Sequence, residues 1–196
     1  ILQDNAIVTF KAAIGTGSDA ADDKIMALTI GATTTTIFES TVNATTATLA
    51  DAANITVKGL FHTTGTITAD NSNTTVITVG SGFTYGVGTT SASDDVITAA
   101  GGWVDSTRGE NTITLNMPSD FNTGHLVVVQ AGGNNVSVAE LAAFTVTDTA
   151  IIDYTVVDGA AASYSGTATT EDVVVTATAK SSALISSELG ITESAA

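Results

Sequence analysis

Acidic side chains are the residues of this chain whose type and spacing are best suited to chemistry. Asp19, Asp22 and Asp23 share a loop that contains glycine, and Asp94 and Asp95 follow a short serine-rich segment. Calcium binds six to eight oxygen atoms, which loop carboxylates and backbone carbonyl groups supply. The spacing matches neither an EF-hand nor a glycine-rich calcium repeat. These five aspartates are therefore candidate ligands for Ca²⁺, the one cofactor that the sequence suggests.

Hydrolytic chemistry has little support in the remaining polar residues. The chain has two histidines, His62 and His125, and no nucleophile-elbow motif surrounds a serine. Several carboxylates occur as adjacent pairs, such as Glu171 and Asp172. Neighbouring residues on a strand point to opposite faces, so an adjacent pair cannot form a two-carboxylate site alone. The sequence therefore predicts no catalytic residues and a protein that is not an enzyme.

Charge and composition exclude several classes of partner. The chain has 20 acidic and five basic residues, a formal net charge of −15, which repels nucleic acids and anionic lipids. There is no cysteine, so no disulfide framework or zinc knuckle is present. No stretch of about 18 apolar residues is available for membrane insertion. Because the chain opens on Ile1 rather than Met, it is either a processed mature form or an excised fragment. A removed signal peptide is the simplest account, so we expect a secreted protein at the cell surface.

Threonine dominates the composition, with 37 residues in 196, and it is a β-branched residue that favours strands. Short apolar segments with period-two alternation are separated by turn residues, which is typical of a β-sandwich or barrel. The gaps between these segments are too irregular to indicate a solenoid. The predicted strands cover residues 6–14, 25–30, 34–42, 54–61, 65–69, 74–79, 83–87, 95–99, 111–116, 125–130, 144–149, 151–157 and 172–180.

These segments predict an all-β fold, specifically an antiparallel β-sandwich of the jelly-roll type. One or two short helices are expected near residues 137–144, which have capping-box spacing, and 182–189. We expect a single domain over residues 1–196. Trp103, Arg108 and Pro118 interrupt the threonine-rich pattern, which leaves open a boundary between two sandwiches near residues 101–124.

The N-terminal segment is the candidate assembly element. Five apolar residues share one face of residues 1–14 in strand conformation, and a glycine-containing run at residues 15–19 follows as a flexible tether. A strand that leaves its own sheet can add to the sheet of a neighbouring subunit. An ordinary first strand within the chain's own sheet is the alternative. The five candidate assembly residues are Ala6, Val8, Phe10, Ala12 and Ile14.

The strands rich in Thr, Ala, Gly and Asp, such as residues 48–57, resemble those of prokaryotic surface-layer and extracellular-filament subunits. The resemblance is one of composition and covers nearly the whole chain. It implies self-assembly outside the cell, calcium binding in some members, and no catalytic residues. Type IV pilins are excluded because Gln3, Asp4, Asn5 and Lys11 interrupt the N-terminal segment.

The leading interpretation is therefore a structural subunit of an extracellular homopolymer, a filament or pilus-like fibre rather than a two-dimensional surface layer. The alternatives are a binding module of a cell-surface adhesin and a viral capsid or decoration protein. Copies of the chain itself are the expected partners. Glycans are permitted as partners, because Asn43, Asn54, Asn73 and Asn135 stand in glycosylation sequons.

Overall fold

A computed structural model describes residues 5–15, 24–69, 74–87, 91–105, 112–131, 138–158, 172–181 and 184. Within these ranges the chain forms fifteen strands and one short helix. The strands are β1 Ile7–Phe10, β2 Ile25–Ile30, β3 Thr35–Phe38, β4 Val42–Leu49, β5 Asn54–Val57, β6 Phe61–Thr63, β7 Ile67–Ala69, β8 Thr75–Val79, β9 Asp95–Ala99, β10 Trp103–Asp105, β11 Ile113–Asn116, β12 Gly124–Ala131, β13 Phe144–Val146, β14 Ile152–Asp158 and β15 Asp172–Ala179; the helix α1 is Val138–Ala143.

The strands coil around a common core and form two stacked sheets, A and B. Sheet A has the order β1-β3-β5-β8-β11-β13, and each pairing within it is parallel. Between one strand of sheet A and the next, the chain crosses to the second sheet and back. This return path supplies the crossover that parallel neighbours need.

The second sheet, B, is parallel over most of its width. Its order is β10-β7-β4-β6-β9-β12-β15-β14, and β2 pairs with β4 outside this path. The long strand β4 pairs with both β6 and β7, which belong to the next turn of the coil. Only β15 runs in the opposite direction, antiparallel to its two neighbours β12 and β14. An antiparallel hairpin thus terminates sheet B.

Alternation along each strand directs one set of side chains into the space between the sheets. In β8 every second residue is buried, and the residues between them are more exposed. β4 alternates in the same way on either side of a shift at Thr45 and Thr46. Aromatic rings join the two sheets: Phe38 of sheet A meets Phe61 of sheet B with ring centroids 5.4 Å apart, and Phe10 stacks on Phe38 at 5.5 Å. The core is therefore a continuous apolar column inside the coil.

The all-β prediction is confirmed, but the antiparallel jelly-roll arrangement is wrong for most strand pairs. Parallel and antiparallel sheets give the same alternation of apolar and polar residues when each has one face in the core and one in water. The alternation therefore does not indicate strand direction. The irregular spacing of the strand segments also gave no indication of the parallel coil that the strands form. Thr35 pairs with Asn54, 19 residues later, whereas Thr75 pairs with Ile113, 38 residues later. Loops of different length conceal the repeat.

Local predictions succeeded where strand segments were apolar and well separated. β2 and β9 have the predicted bounds, and α1 lies in the predicted helical segment. Residues 83–87 were predicted as a strand but contribute one isolated bridge, from Gly86 to His125. Leu184 is the one described residue of the helix predicted at 182–189, and it is helical. β8–β11 and β9–β12 pair across the alternative boundary at 101–124; the single domain stays a prediction.

Candidate functional site

A cleft lies beside the turns at which the chain passes out of sheet A. The turns after β5 and β8 and the start of β9 enclose a space of about 360 Å³. Phe83 and Leu60 supply apolar surface, and Lys58, Asp94 and Asp95 supply charge. This is where the structure places two of the five candidate calcium ligands. The other three, Asp19, Asp22 and Asp23, lie outside the described residues.

Each charged group of the cleft has a distinct environment. The Lys58 ammonium lies 3.3 Å from the carboxylate of Glu39 on the preceding turn. Asp94 is exposed, and its Oδ2 accepts a hydrogen bond from the Thr84 backbone N–H at 2.7 Å. The backbone N–H of Asp94 donates to the Thr84 carbonyl at 2.9 Å, which closes a local loop. Asp94 therefore helps to hold the loop that forms one wall.

Asp95 is the most perturbed carboxyl group of the cleft. Burial, together with the smaller effects of the nearby charges of Asp172 and Asp94, raises its pKa to about 6. Its Oδ1 is buried, and no donor among the described residues reaches it. A carboxylate without donors in a poorly solvated position favours its protonated form. Asp95 therefore takes up a proton at mildly acidic pH.

A pH titration tests this environment through stability. The pKa of Asp95 is higher in the folded chain than its ordinary value of 3.8, so the folded state binds the additional proton below pH 6. The ionised group therefore destabilises the fold above pH 6, and this cost disappears on acidification. We expect Asp95→Asn to raise the melting temperature at pH 7.5 and to lose this advantage at pH 4.5. Parallel thermal melts of the two proteins cancel the titration of groups that do not interact with Asp95, and a pH-independent difference would contradict the assignment.

The described residues do not bring a full calcium ligand set to the cleft. Among them, no group of three or more His, Cys, Asp or Glu side chains is positioned to hold a metal ion. Two adjacent aspartates supply fewer oxygens than the six to eight that Ca²⁺ takes. Calcium binding by the predicted aspartates stays a prediction.

The two histidines occupy unrelated positions. His62 lies on the outer face of sheet B, where its Nδ1 is 2.6 Å from the Thr98 hydroxyl. His125 is 1% exposed, and its ring packs so closely on Gly86 that a side chain there would overlap it. His125 belongs to β12, and its backbone bridge to Gly86 connects this strand to the loop at residues 83–87.

The candidate assembly residues belong to the first strand of sheet A and the segments on either side of it. β1 pairs in parallel with β3 of its own chain, and Ile14 forms an isolated bridge to Val42. Among the described residues, no strand pairs with β1 on its other side. The five residues differ in exposure: Ala6, Val8, Phe10 and Ile14 are half-buried, and Ala12 is exposed.

Backbone geometry shows which amide groups of β1 remain available at this edge. The Thr35 N–H donates to the Ala6 carbonyl, and the Glu39 N–H donates to the Phe10 carbonyl, both at 2.9 Å. Donor and acceptor groups of successive residues in a parallel strand point alternately to its two sides. Thr9 therefore directs its N–H and C=O away from β3, toward the side on which no described strand pairs with β1.

Sequence reasoning missed the opposite end of sheet A. β13 has the sequence Phe-Thr-Val and pairs in parallel with β11. Within the described ranges nothing pairs with its second side. The sequence indicated a strand here, but only a parallel order of strands makes β1 and β13 the two ends of one sheet.

No helix in the described portion of the chain has both the length and the apolar character needed to cross a bilayer. Comparisons with protein-family models, curated proteins and solved structures give no match to the chain.

Proposed function

We propose that this protein is a non-enzymatic structural subunit that polymerises outside the cell into a filament or pilus-like fibre. The observation that carries the proposal is the edge of β1, with which no described strand pairs, at the end of a predominantly parallel coil. An unpaired strand edge presents a row of backbone donors and acceptors that another strand can satisfy. A parallel coil extends along its axis by adding strands to such an edge, so end-to-end addition yields a fibre.

The residue types of β1 are those expected of an edge strand that pairs with another strand. Soluble proteins usually block an exposed edge with lysine, proline, inward charges or a bulge. β1 reads Ile-Val-Thr-Phe and contains none of these residues, and Ile7 is 78% exposed. Such a strand would promote aggregation of a monomer, but in a polymer subunit it provides an edge for pairing with the next copy. The extracellular location rests on the composition, which resembles that of surface-layer and filament subunits.

Proline at Thr9 tests the proposal directly. Thr9 is exposed, and its N–H points away from β3, so Thr9→Pro removes an edge donor and no hydrogen bond of the chain itself. We expect wild-type protein to form fibres in negative-stain images and to sediment in a concentration-dependent manner. Thr9→Pro should remain a folded monomer with an unchanged circular dichroism spectrum.

Thr9→Val is the matched control, because it keeps the amide and the β-branched shape. It should polymerise like the wild type. If wild-type protein remains monomeric at high concentration, or if Thr9→Pro polymerises normally, the proposed function is wrong.

A further inference from the structure

The strand registers of sheet A align residues into continuous columns along the coil. One column faces solvent and another faces the core, and we call them the outer and inner columns. The outer column is Ile7, Thr35, Asn54, Val76, Thr114 and Thr145. The inner column is Val8, Thr36, Ile55, Ile77, Leu115 and Val146.

The inner column is buried in its middle and half-buried at its two ends. Its central members Ile55, Ile77 and Leu115 are at most 1% exposed, because each has a strand on both sides. Val8 and Val146 are partly exposed, since each terminal strand has a neighbour on one side among the described residues. The column thus ends in the same β-branched residue at each end.

The two end strands of sheet A differ in charge from β14, the last strand of sheet B. β1 and β13 contain no charged residue. The last strand of sheet B, β14, contains Asp153 and Asp158 and runs antiparallel to its neighbour. In a chain of net charge −15, acidic edges brought together repel each other. Sheet A therefore offers the uncharged pair of edges.

We propose that β1 of one copy pairs in parallel with β13 of the next copy and so continues sheet A from subunit to subunit. This inference rests on the proposed function and specifies its joint. The columns continue across the joint, with Ile7 beside Thr145 on the outer face and Val8 beside Val146 on the inner face. The joint satisfies the open edge amides and covers both terminal valines.

The position of the two strands makes this joint measurable. Within one chain β1 and β13 are the first and last of six strands. At about 4.8 Å per strand spacing, they lie roughly 24 Å apart. Two cysteines join only when their Cα atoms are within about 7 Å. A link between the two strands must therefore connect different copies.

A mixture of two single-cysteine proteins tests the joint. The natural chain has no cysteine, so each introduced thiol is unique. Ile7→Cys protein and Thr145→Cys protein are mixed under assembly conditions and treated with a short thiol crosslinker that spans neighbouring strands. We expect covalent dimers that contain one copy of each variant, identified by mass spectrometry of the linked peptides. Each variant alone should remain uncrosslinked.

Val8→Cys mixed with Thr145→Cys is the matched control, because neighbouring residues on a strand point to opposite faces. Its crosslinking yield should be at least tenfold lower. Wild-type fibres that form while the Ile7→Cys and Thr145→Cys mixture gives no dimers would overturn the β1–β13 joint and leave the proposed function standing. Dimers from Ile7→Cys alone would instead indicate symmetric pairing of two β1 edges, which also overturns it. Absence of any wild-type polymer refutes the proposed function itself.

Discussion

Replacing Phe38 with alanine should lower the free energy of unfolding by about 3–5 kcal/mol, a typical cost for a fully buried phenylalanine. Phe38 is 0% exposed and lies where the two sheets meet. Its ring stacks on Phe10 within sheet A and makes an edge contact with Phe61 of sheet B. Removal of the ring leaves a cavity between the sheets and unsupported apolar surface on both of them.

Urea denaturation monitored by circular dichroism measures this loss. Ile37→Ala is the matched control, because Ile37 is the preceding residue of β3 and points to the outer face. Its cost should stay near 1 kcal/mol, since the outer side chain is only half-buried. Equal losses in the two variants would contradict the assignment of Phe38 to the interior of the coil.

Gly124→Ala should cost about 3–5 kcal/mol, as the sum of steric strain and lost hydrogen bonds. Gly124 has a φ of 95°, in the region that favours glycine. A Cβ atom there would overlap the Gly86 carbonyl oxygen. That oxygen accepts a hydrogen bond from the His125 N–H at 2.9 Å, and the Gly86 N–H donates back to His125 at the same distance. The substitution should break this bridge and release the loop at residues 83–87.

Gly82→Ala separates backbone strain from steric overlap. Gly82 has a similar φ of 106°, but a Cβ atom there meets no atom within 4 Å. Its cost should therefore be limited to the left-handed backbone, about 1–2 kcal/mol. Chemical denaturation of the two variants side by side measures the difference. A Gly124→Ala protein as stable as Gly82→Ala would show that the Gly86–His125 bridge does not have the described geometry.

The class of the fold could be predicted from the sequence, but the arrangement of its strands could not. β-Branched composition and alternation locate strands such as Ile25–Ile30. They do not identify the neighbour of a strand, because β5 alternates in the same way whether its partners run parallel or antiparallel. The partner of β5 on one side begins at Thr75, and the next strand of that sheet begins at Ile113. No constant period connects them.

For the candidate sites too, the residue types could be recognised in the sequence, but their environments could not. Asp94 and Asp95 could be singled out as acidic neighbours, but the high pKa of Asp95 depends on burial and on Asp172 of a distant strand. Lys180 carries no sequence signal, yet its side chain is 6% exposed and lies 3.4 Å from the Asp153 carboxylate. The sequence does not distinguish surface threonines from core threonines, yet Thr36 and Thr75 are fully buried. Tertiary pairing determines each of these environments.

The coil has a consequence for how the molecule opens. Among the described residues, each strand of sheet A forms hydrogen-bonded pairs only with the strand before it and the strand after it in that sheet. In such quasi-one-dimensional folds stability is approximately a sum of intrinsic terms and nearest-neighbour terms. β1 and β13 each have one neighbour in sheet A among the described strands, so amide hydrogen exchange should be faster in these two strands than in the central strands β5 and β8. Joining subunits end to end would supply the missing neighbour at every joint and confine fraying to the two tips of the fibre.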